Sequence, residues 1–457
     1  MSQEVLALLV LAVVFLIATV RSINMGALAL VAAAIVGVTV YQVKVAEVVA
    51  GFPGSLFVIL VGVTYLFAIA KNNGTVDWIV HASIRAVRGR VALVPWVMFL
   101  VCALVTGIGA VSPAAVAIVA PVAMGFASRY KIHPVLMGLM VTQGATAGSF
   151  SPMGIFGAIV NGVVEDNNLP GNRLLLFVLT FLASATVAVV SFLMFGGREL
   201  IRRGKDVDDH EIDLVTVGAV HARTHATVTG TTEAEIESGR HADQRRTSAG
   251  PALTPTDQQL NAERILTLIG LVAMAIGALV FSMDVGFTAL GIASILTLVF
   301  PGSAKGAVDK ISWGTVLLVG GIVTYVSLLE DQGTVQWLGD QVAQVGAPLV
   351  AALLICFIGA VVSAFASTTG ILGALIPLAV PFLLTGQIGA VGLVIALAVS
   401  SSVVDCSPFS TNGALIVANA PERDRDLVFR RLMQWGMGLV VVAPLVMWLL
   451  LVVPGWL

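Results

Sequence analysis

The chain has 457 residues, of which 58% are hydrophobic and 11% charged, and its formal net charge is −2. Soluble domains draw about a quarter of their residues from Asp, Glu, Lys and Arg, so a soluble globule is excluded; the near-neutral balance names no partner, and no nucleic acid is expected. Apolar stretches of about 17 to 25 residues, the length that crosses about 30 Å of hydrocarbon as helix, recur from Val5 to Leu457 and predict an all-α polytopic membrane protein in contact with the lipid bilayer.

In chain order, residues 3–20 read as a first span rather than a signal peptide, because Met1-Ser2-Gln3-Glu4 supplies no positive n-region and no small-residue cleavage site. The first half, 1–197, holds five spans and one apolar segment, 91–126, that starts after Arg90 and ends before Arg129. Both flanks lie on one side of the membrane, so the segment is predicted to be a re-entrant hairpin with its tip near Ala110 to Pro113. The span 134–164 is broken at Ser151-Pro152. Residues 198–262 are polar and mixed in charge, the composition of a disordered linker; His221 and His225 have the i, i+4 spacing of a metal pair, or simply lie in a solvated loop. The second half, 263–457, repeats the plan with a hairpin at 348–384, its tip near Ala366 to Gly370, and a broken span at 388–418. Cys102, Cys356 and Cys406 sit in apolar segments without the spacing of a metal site or a disulfide framework.

Charge distribution orients these spans. One side collects Arg21, Lys71, Arg85, Arg88, Arg90, Arg129, Lys131, Lys305, Lys310, Arg423, Arg425, Arg430 and Arg431, and the other only Lys44 and Arg173. Positive charge accumulates on the cytoplasmic side, which places the 198–262 linker inside and both termini outside. Five spans per half is an odd number, so the second half is inverted.

The halves are also related residue by residue. Ser112 and Thr368, Pro121 and Pro377, Ser151 and Ser407, Pro152 and Pro408, and Gly157 and Gly413 are each 256 apart. A second match pairs Val63-Thr64-Tyr65 with Val323-Thr324-Tyr325, and Gly74-Thr75-Val76-Asp77-Trp78 with Gly333-Thr334-Val335-Gln336-Trp337. Duplicated helix breakers inside apolar segments point to a transporter's binding site at the bilayer midplane.

A helix broken within the membrane exposes N–H groups where it restarts, which attract anions, and carbonyls where it stops, which attract cations. A hydroxyl followed by proline is helix-start chemistry, so half-helices are predicted to begin at Ser112-Pro113, Ser151-Pro152 and Ser407-Pro408, with Thr368-Thr369 as the fourth. These residues, with Gly154, Thr411 and Asn412, are the candidate site for a small anion. The alternative is that they serve only close packing and kinks. Asp405 is the acid placed deep in a span, at a cost that implies work or a partner; its counterpart is Ser149. It reads as an ion ligand or proton carrier, or as a cap for the half-helix that follows. Ser149, Ser367 and Gly109 join it as candidate ion-coupling residues, with Na+ as the metal if the ion is not H+. Gln143 and Thr146 could bond substrate or satisfy freed backbone, and Thr64, Tyr65, Thr324 and Tyr325 read as packing residues.

The stretches 23–30, 61–78 and Gly109-Ala110-Val111-Ser112-Pro113-Ala114-Ala115 closely resemble the MatC-type malonate and dicarboxylate carriers over about residues 1–195, and more loosely beyond 263. The order of hairpin tip and broken helix is distantly similar to the divalent anion–sodium symporters of the ion transporter superfamily. That resemblance implies an elevator-type homodimer in a bacterial plasma membrane, without a cofactor, moving malonate or a four-carbon dicarboxylate with Na+ or H+. The symporters carry Ser-Asn-Thr at each tip; here the positions read Val111-Ser112-Pro113 and Ser367-Thr368-Thr369, so the hydroxyls persist and the asparagine does not. A cation/proton antiporter of the same superfamily is the alternative. An intramembrane enzyme would want paired deep acids or a deep histidine, and His81 and His133 lie at span ends. A channel fits two inverted sets of breakers less well than alternating access.

Overall fold

A computed structural model of the chain describes residues 2–20, 23–85, 90–167, 169–203, 260–281, 283–334, 337, 348–365, 368–384 and 388–455. It is built of helices. The first half contributes α1 (Gln3–Val20), α2 (Met25–Thr39), α3 (Val45–Ala50), α4 (Gly54–Asn72), α5 (Thr75–Arg85), α6 (Val94–Gly107), α7 (Ser112–Arg129), α8 (Pro134–Ser149), α9 (Ile155–Asp166), α10 (Arg173–Met194) and α11 (Gly197–Arg203). The second contributes α12 (Ala262–Val280), α13 (Val285–Val299), α14 (Trp313–Asp331), α15 (Pro348–Phe365), α16 (Thr368–Leu384), α17 (Ala390–Ser402), α18 (Thr411–Asn419) and α19 (Arg425–Met447).

Among the described residues, six helical segments are long and apolar enough to cross a membrane, within 54–72, 112–129, 173–194, 313–331, 348–365 and 422–452; five more apolar helices are shorter. Large apolar side chains cover the outside: Leu298 is 83% exposed, Phe281 70% and Phe287 68%. Water would not tolerate so extensive an apolar surface, whereas lipid is its natural solvent. The chain is a polytopic integral membrane protein.

The two broken helices form the centre. α8 is buried from Val135 to Ser149, and α17 from Gly392 to Ser402. Small residues let neighbours approach: a Cβ on Gly144 would stand 2.2 Å from the Phe99 carbonyl oxygen, and one on Gly148 1.9 Å from that of Ala103, so α6 lies directly on α8.

Contacts between the halves come in matched pairs. α2 packs on α14 as α13 packs on α4, and α18 packs on α7 as α16 packs on α9. The first two pairs cross at glycines. A Cβ on Gly321 would meet the Gly26 oxygen at 1.9 Å, and one on Gly62 the Gly286 oxygen at 2.5 Å. The packing reading of the duplicated Thr-Tyr pairs agrees with their bonds: Thr64 and Thr324 donate to carbonyls of their own helices, Tyr65 meets Thr297, and Tyr325 donates to the Ala7 oxygen.

Residues 198–203 of the expected linker are helical, as part of α11. His221 and His225 lie outside the described residues, as do Ala366 and Ser367, and the side chain of His81.

Candidate substrate and ion site

Among the described residues, breaks interrupt the apolar helices at 108–111, 150–154 and 403–410. The first turns on Gly109, whose φ of 107° lies in the left-handed region and whose Cβ would stand 2.2 Å from Val63; glycine meets both demands.

The breaks at 150–154 and 403–410 share one construction, and it corrects the predicted half-helix starts. The Gly154 N–H donates to the Ser151 oxygen, and the Ser410 N–H to the Ser407 oxygen. Each Ser-Pro therefore occupies the first two positions of a β-turn, where proline's fixed φ is equally at home. The half-helices begin later, at Ile155 and Thr411. In both, a glycine in the first turn lies against the serine carbonyl: a Cβ on Gly157 would be 2.2 Å from the Ser151 oxygen, and one on Gly413 1.9 Å from the Ser407 oxygen.

Capping separates the restarts chemically. Val111 before α7 and Gly154 before α9 make no side-chain cap bond, which leaves first-turn N–H groups of those helices for another acceptor. Ser410 caps α18 itself: its hydroxyl accepts from Gly413 and donates to the carbonyls of Asp405 and Ser407. Asp405 is thus not the cap.

Side chains tie two of these breaks to the start of α16. The Asn412 amide donates to Ser112 Oγ and to Asp405 Oδ2, both at 2.7 Å and fully enclosed. The hydroxyls of Ser410 and Thr368 lie beside the same carboxyl, and Thr368 bonds Ser363 at 2.9 Å. Among the described residues, Asp405 Oδ1 and Asn412 Oδ1 are buried without a hydrogen-bond partner.

The second break joins from the other side. Ser151 Oγ donates to the Gly107 oxygen at 2.6 Å, closing the end of α6. Ser151 and Pro152 also line an apolar cavity of about 730 Å³ with Trp78, Phe177 and Leu268, away from the Asp405 carboxyl. Ser149 donates to the Ala145 oxygen of its own helix. Gln143 and Thr146 reach the carbonyls of Val403 and Ser402 where α17 ends, so they satisfy freed backbone.

Of the sequence candidates, the structure gathers Ser112, Thr368, Asp405 and Asn412 into one cluster. Thr369, Pro408, Ser407 and Gly154 are buried, Pro113 is half-buried, and Thr411 is exposed. Sequence reasoning passed over Ser410 and Ser363. The signal for both was the repeat itself, because they stand where the first half has Gly154 and Gly107. The same comparison sets Asn412 against Phe156, which with Phe150 fills the first-half loop as an edge-to-face ring pair 5.4 Å apart. Acid, amide and capping hydroxyl are concentrated in one break of the two.

Uncapped helix starts and a paired carboxyl thus lie buried inside a lipid-faced helical bundle. Residues 1–149 match the family model described as dicarboxylate carrier protein MatC N-terminus, and residues 276–455 match the one described as citrate transporter. Each model matches a separate part of the chain, and both describe transporters of small carboxylates, not enzymes. No curated protein matches the chain significantly.

Proposed function

We propose that the protein moves a small dicarboxylate, malonate or a four-carbon acid, by coupling it to Na+ or H+. The observation that carries this reading is the enclosed chain Ser112–Asn412–Asp405. It joins two breaks that offer opposite charges to a ligand. The uncapped start of α7 favours a carboxylate. Asp405 Oδ1 and Asn412 Oδ1, acceptors without a hydrogen bond among the described residues, favour a cation or a proton, because a buried acceptor left alone costs about 1–3 kcal/mol. Ser112, Thr368 and Thr369 would meet the substrate, and Asp405 with Asn412 the coupling ion.

The matched contacts between halves support two inverted repeats, with 91–126 and 348–384 as re-entrant hairpins entering from opposite faces. On that topology both termini lie outside, 198–262 is cytoplasmic, and each protomer of a homodimer carries its site through the membrane as an elevator. An antiporter for cations and protons is the second reading, since Asp405 could be its exchange site.

Labelled malonate and succinate uptake into proteoliposomes tests both. Uptake is expected under an inward Na+ or H+ gradient, and Asp405→Asn is expected to abolish the dependence on that ion. Absence of uptake under either gradient, with cation–proton exchange intact, would replace the first reading by the second.

A further inference from the structure

We propose a binding site for one anionic phospholipid where α10 ends and α19 begins, remote in composition from the transport site and independent of its assignment. A cavity of about 720 Å³ opens there between the ends of α7, α8, α10 and α19, and its wall includes Lys131, His133, Arg203, Arg431 and Trp435. An apolar groove of about 610 Å³ continues from it and shares Met194, Gln434 and Trp435 with it. A cationic chamber opening into an apolar channel is the negative image of a phospholipid.

Among the described residues, charge pairing leaves two cations of the chamber without a carboxylate. Arg203 is held by Glu199 at 2.7 Å and by the carbonyls of Tyr130 and Lys131, and Arg423 pairs with Asp424. Lys131 and Arg431 have no carboxylate partner among the described residues; Arg431 touches only the neutral Gln434 amide. The Lys131 backbone is in the left-handed region, with φ at 51°, a conformation uncommon for a lysine and held here by the Arg203 bond to its carbonyl. His133 accepts the Val135 N–H through Nδ1, which leaves Nε2 to donate. Three donors of this kind suit a phosphodiester.

The groove has the dimensions of an acyl chain. Leu182, Thr186, Val190 and Met194 recur every fourth residue along one face of α10, opposite Trp435, Gly438, Val442 and Val446 of α19. Twelve residues of helix rise about 18 Å, roughly one leaflet of a 30 Å hydrocarbon core. Trp435 stands where the two chambers meet, the level of the lipid–water boundary at which tryptophan prefers to sit. Gly438 keeps the groove open, since a Cβ there would meet no atom within 4 Å. On the proposed topology this end faces the cytoplasmic leaflet, where basic pockets between helices bind anionic headgroups.

The test uses the delipidated full-length protein, titrated with phosphatidylglycerol and phosphatidylcholine and read by native mass spectrometry. Phosphatidylglycerol is expected to bind preferentially at one site, and each of Lys131→Gln and Arg431→Gln to weaken it about fivefold, since a basic side chain near an anionic lipid is worth about 1 kcal/mol. Gly438→Leu fills the groove and is expected to weaken both lipids. Replacing a helical glycine favours the helix, so misfolding does not explain that loss. Equal binding of the two lipids, or retained preference in the Lys131→Gln/Arg431→Gln double variant, overturns the proposal. So does full displacement by glycerol 3-phosphate or malonate with Gly438→Leu silent, which would make the chamber a soluble-anion site.

Discussion

Replacing Asn412 with alanine is the sharpest probe of the buried cluster. The wild-type amide makes two enclosed bonds of 2.7 Å, one to the Asp405 carboxyl and one to the Ser112 hydroxyl. A hydrogen bond to a charged group is worth about 1.5–3 kcal/mol and a neutral one about 0.5–1.5 kcal/mol, so Asn412→Ala is expected to cost about 2–4.5 kcal/mol. Ser112→Ala removes only the neutral bond and is expected to cost about 1 kcal/mol. The sizes alone do not isolate the contact, because a smaller side chain also leaves a void. A double-mutant cycle does. Asn412→Ala combined with Asp405→Ala should be less destabilising than the two single changes together by about 1.5–3 kcal/mol. The measurement is equilibrium unfolding of the purified protein in mixed micelles with increasing sodium dodecyl sulfate. Additivity within about 0.5 kcal/mol would show that amide and carboxyl do not interact in the folded protein, and the ion-site assignment would fall with it.

Gly413→Ala is expected to destabilise by about 3 kcal/mol or more, because the new methyl would stand 1.9 Å from the Ser407 oxygen; Gly373→Ala, which meets open space, is the control, and equal thermal midpoints would refute the turn geometry. Burial, with help from Arg431 and against Asp424, holds the His133 imidazole below its usual range. The unfolded chain therefore binds a proton more readily as pH falls through about 6.5, and stability present above that pH is lost below it. His133→Asn keeps an acceptor for Val135 and should flatten the fall in thermal midpoint between pH 7.5 and 5.5; parallel profiles would refute the assignment.

Much of the site was legible because membrane helices make few local demands, so a hydroxyl, glycine or proline in mid-span stands out. The positions of the breaks at 108–111, 150–154 and 403–410 followed from such residues. Their internal geometry did not. Ser-Pro opens a helix or a β-turn with the same dihedral, and the choice between them lay in Gly154 and Ser410, which supply the second N–H of the turn. The bond from Asn412 to Ser112 spans 300 residues, and no local pattern announces it. Asp405 stood out as a deep acid, but its pairing with the Asn412 side chain rather than with the backbone N–H groups of that helix required three dimensions.

The ring-filled loop formed by Phe150 and Phe156 has an electrical consequence. If the first half offered a polar copy of the Asp405–Asn412 pair, a carrier could take two monovalent cations with each dianion and move no net charge. Phe150 and Phe156 fill that loop instead, so on the proposed reading the second seat is closed. A cycle relying on Asp405 alone would carry one uncompensated negative charge inward, against a potential worth about 2.3 kcal/mol per 100 mV. Current recorded across a bilayer would then report, through its sign, how many cations travel with each substrate.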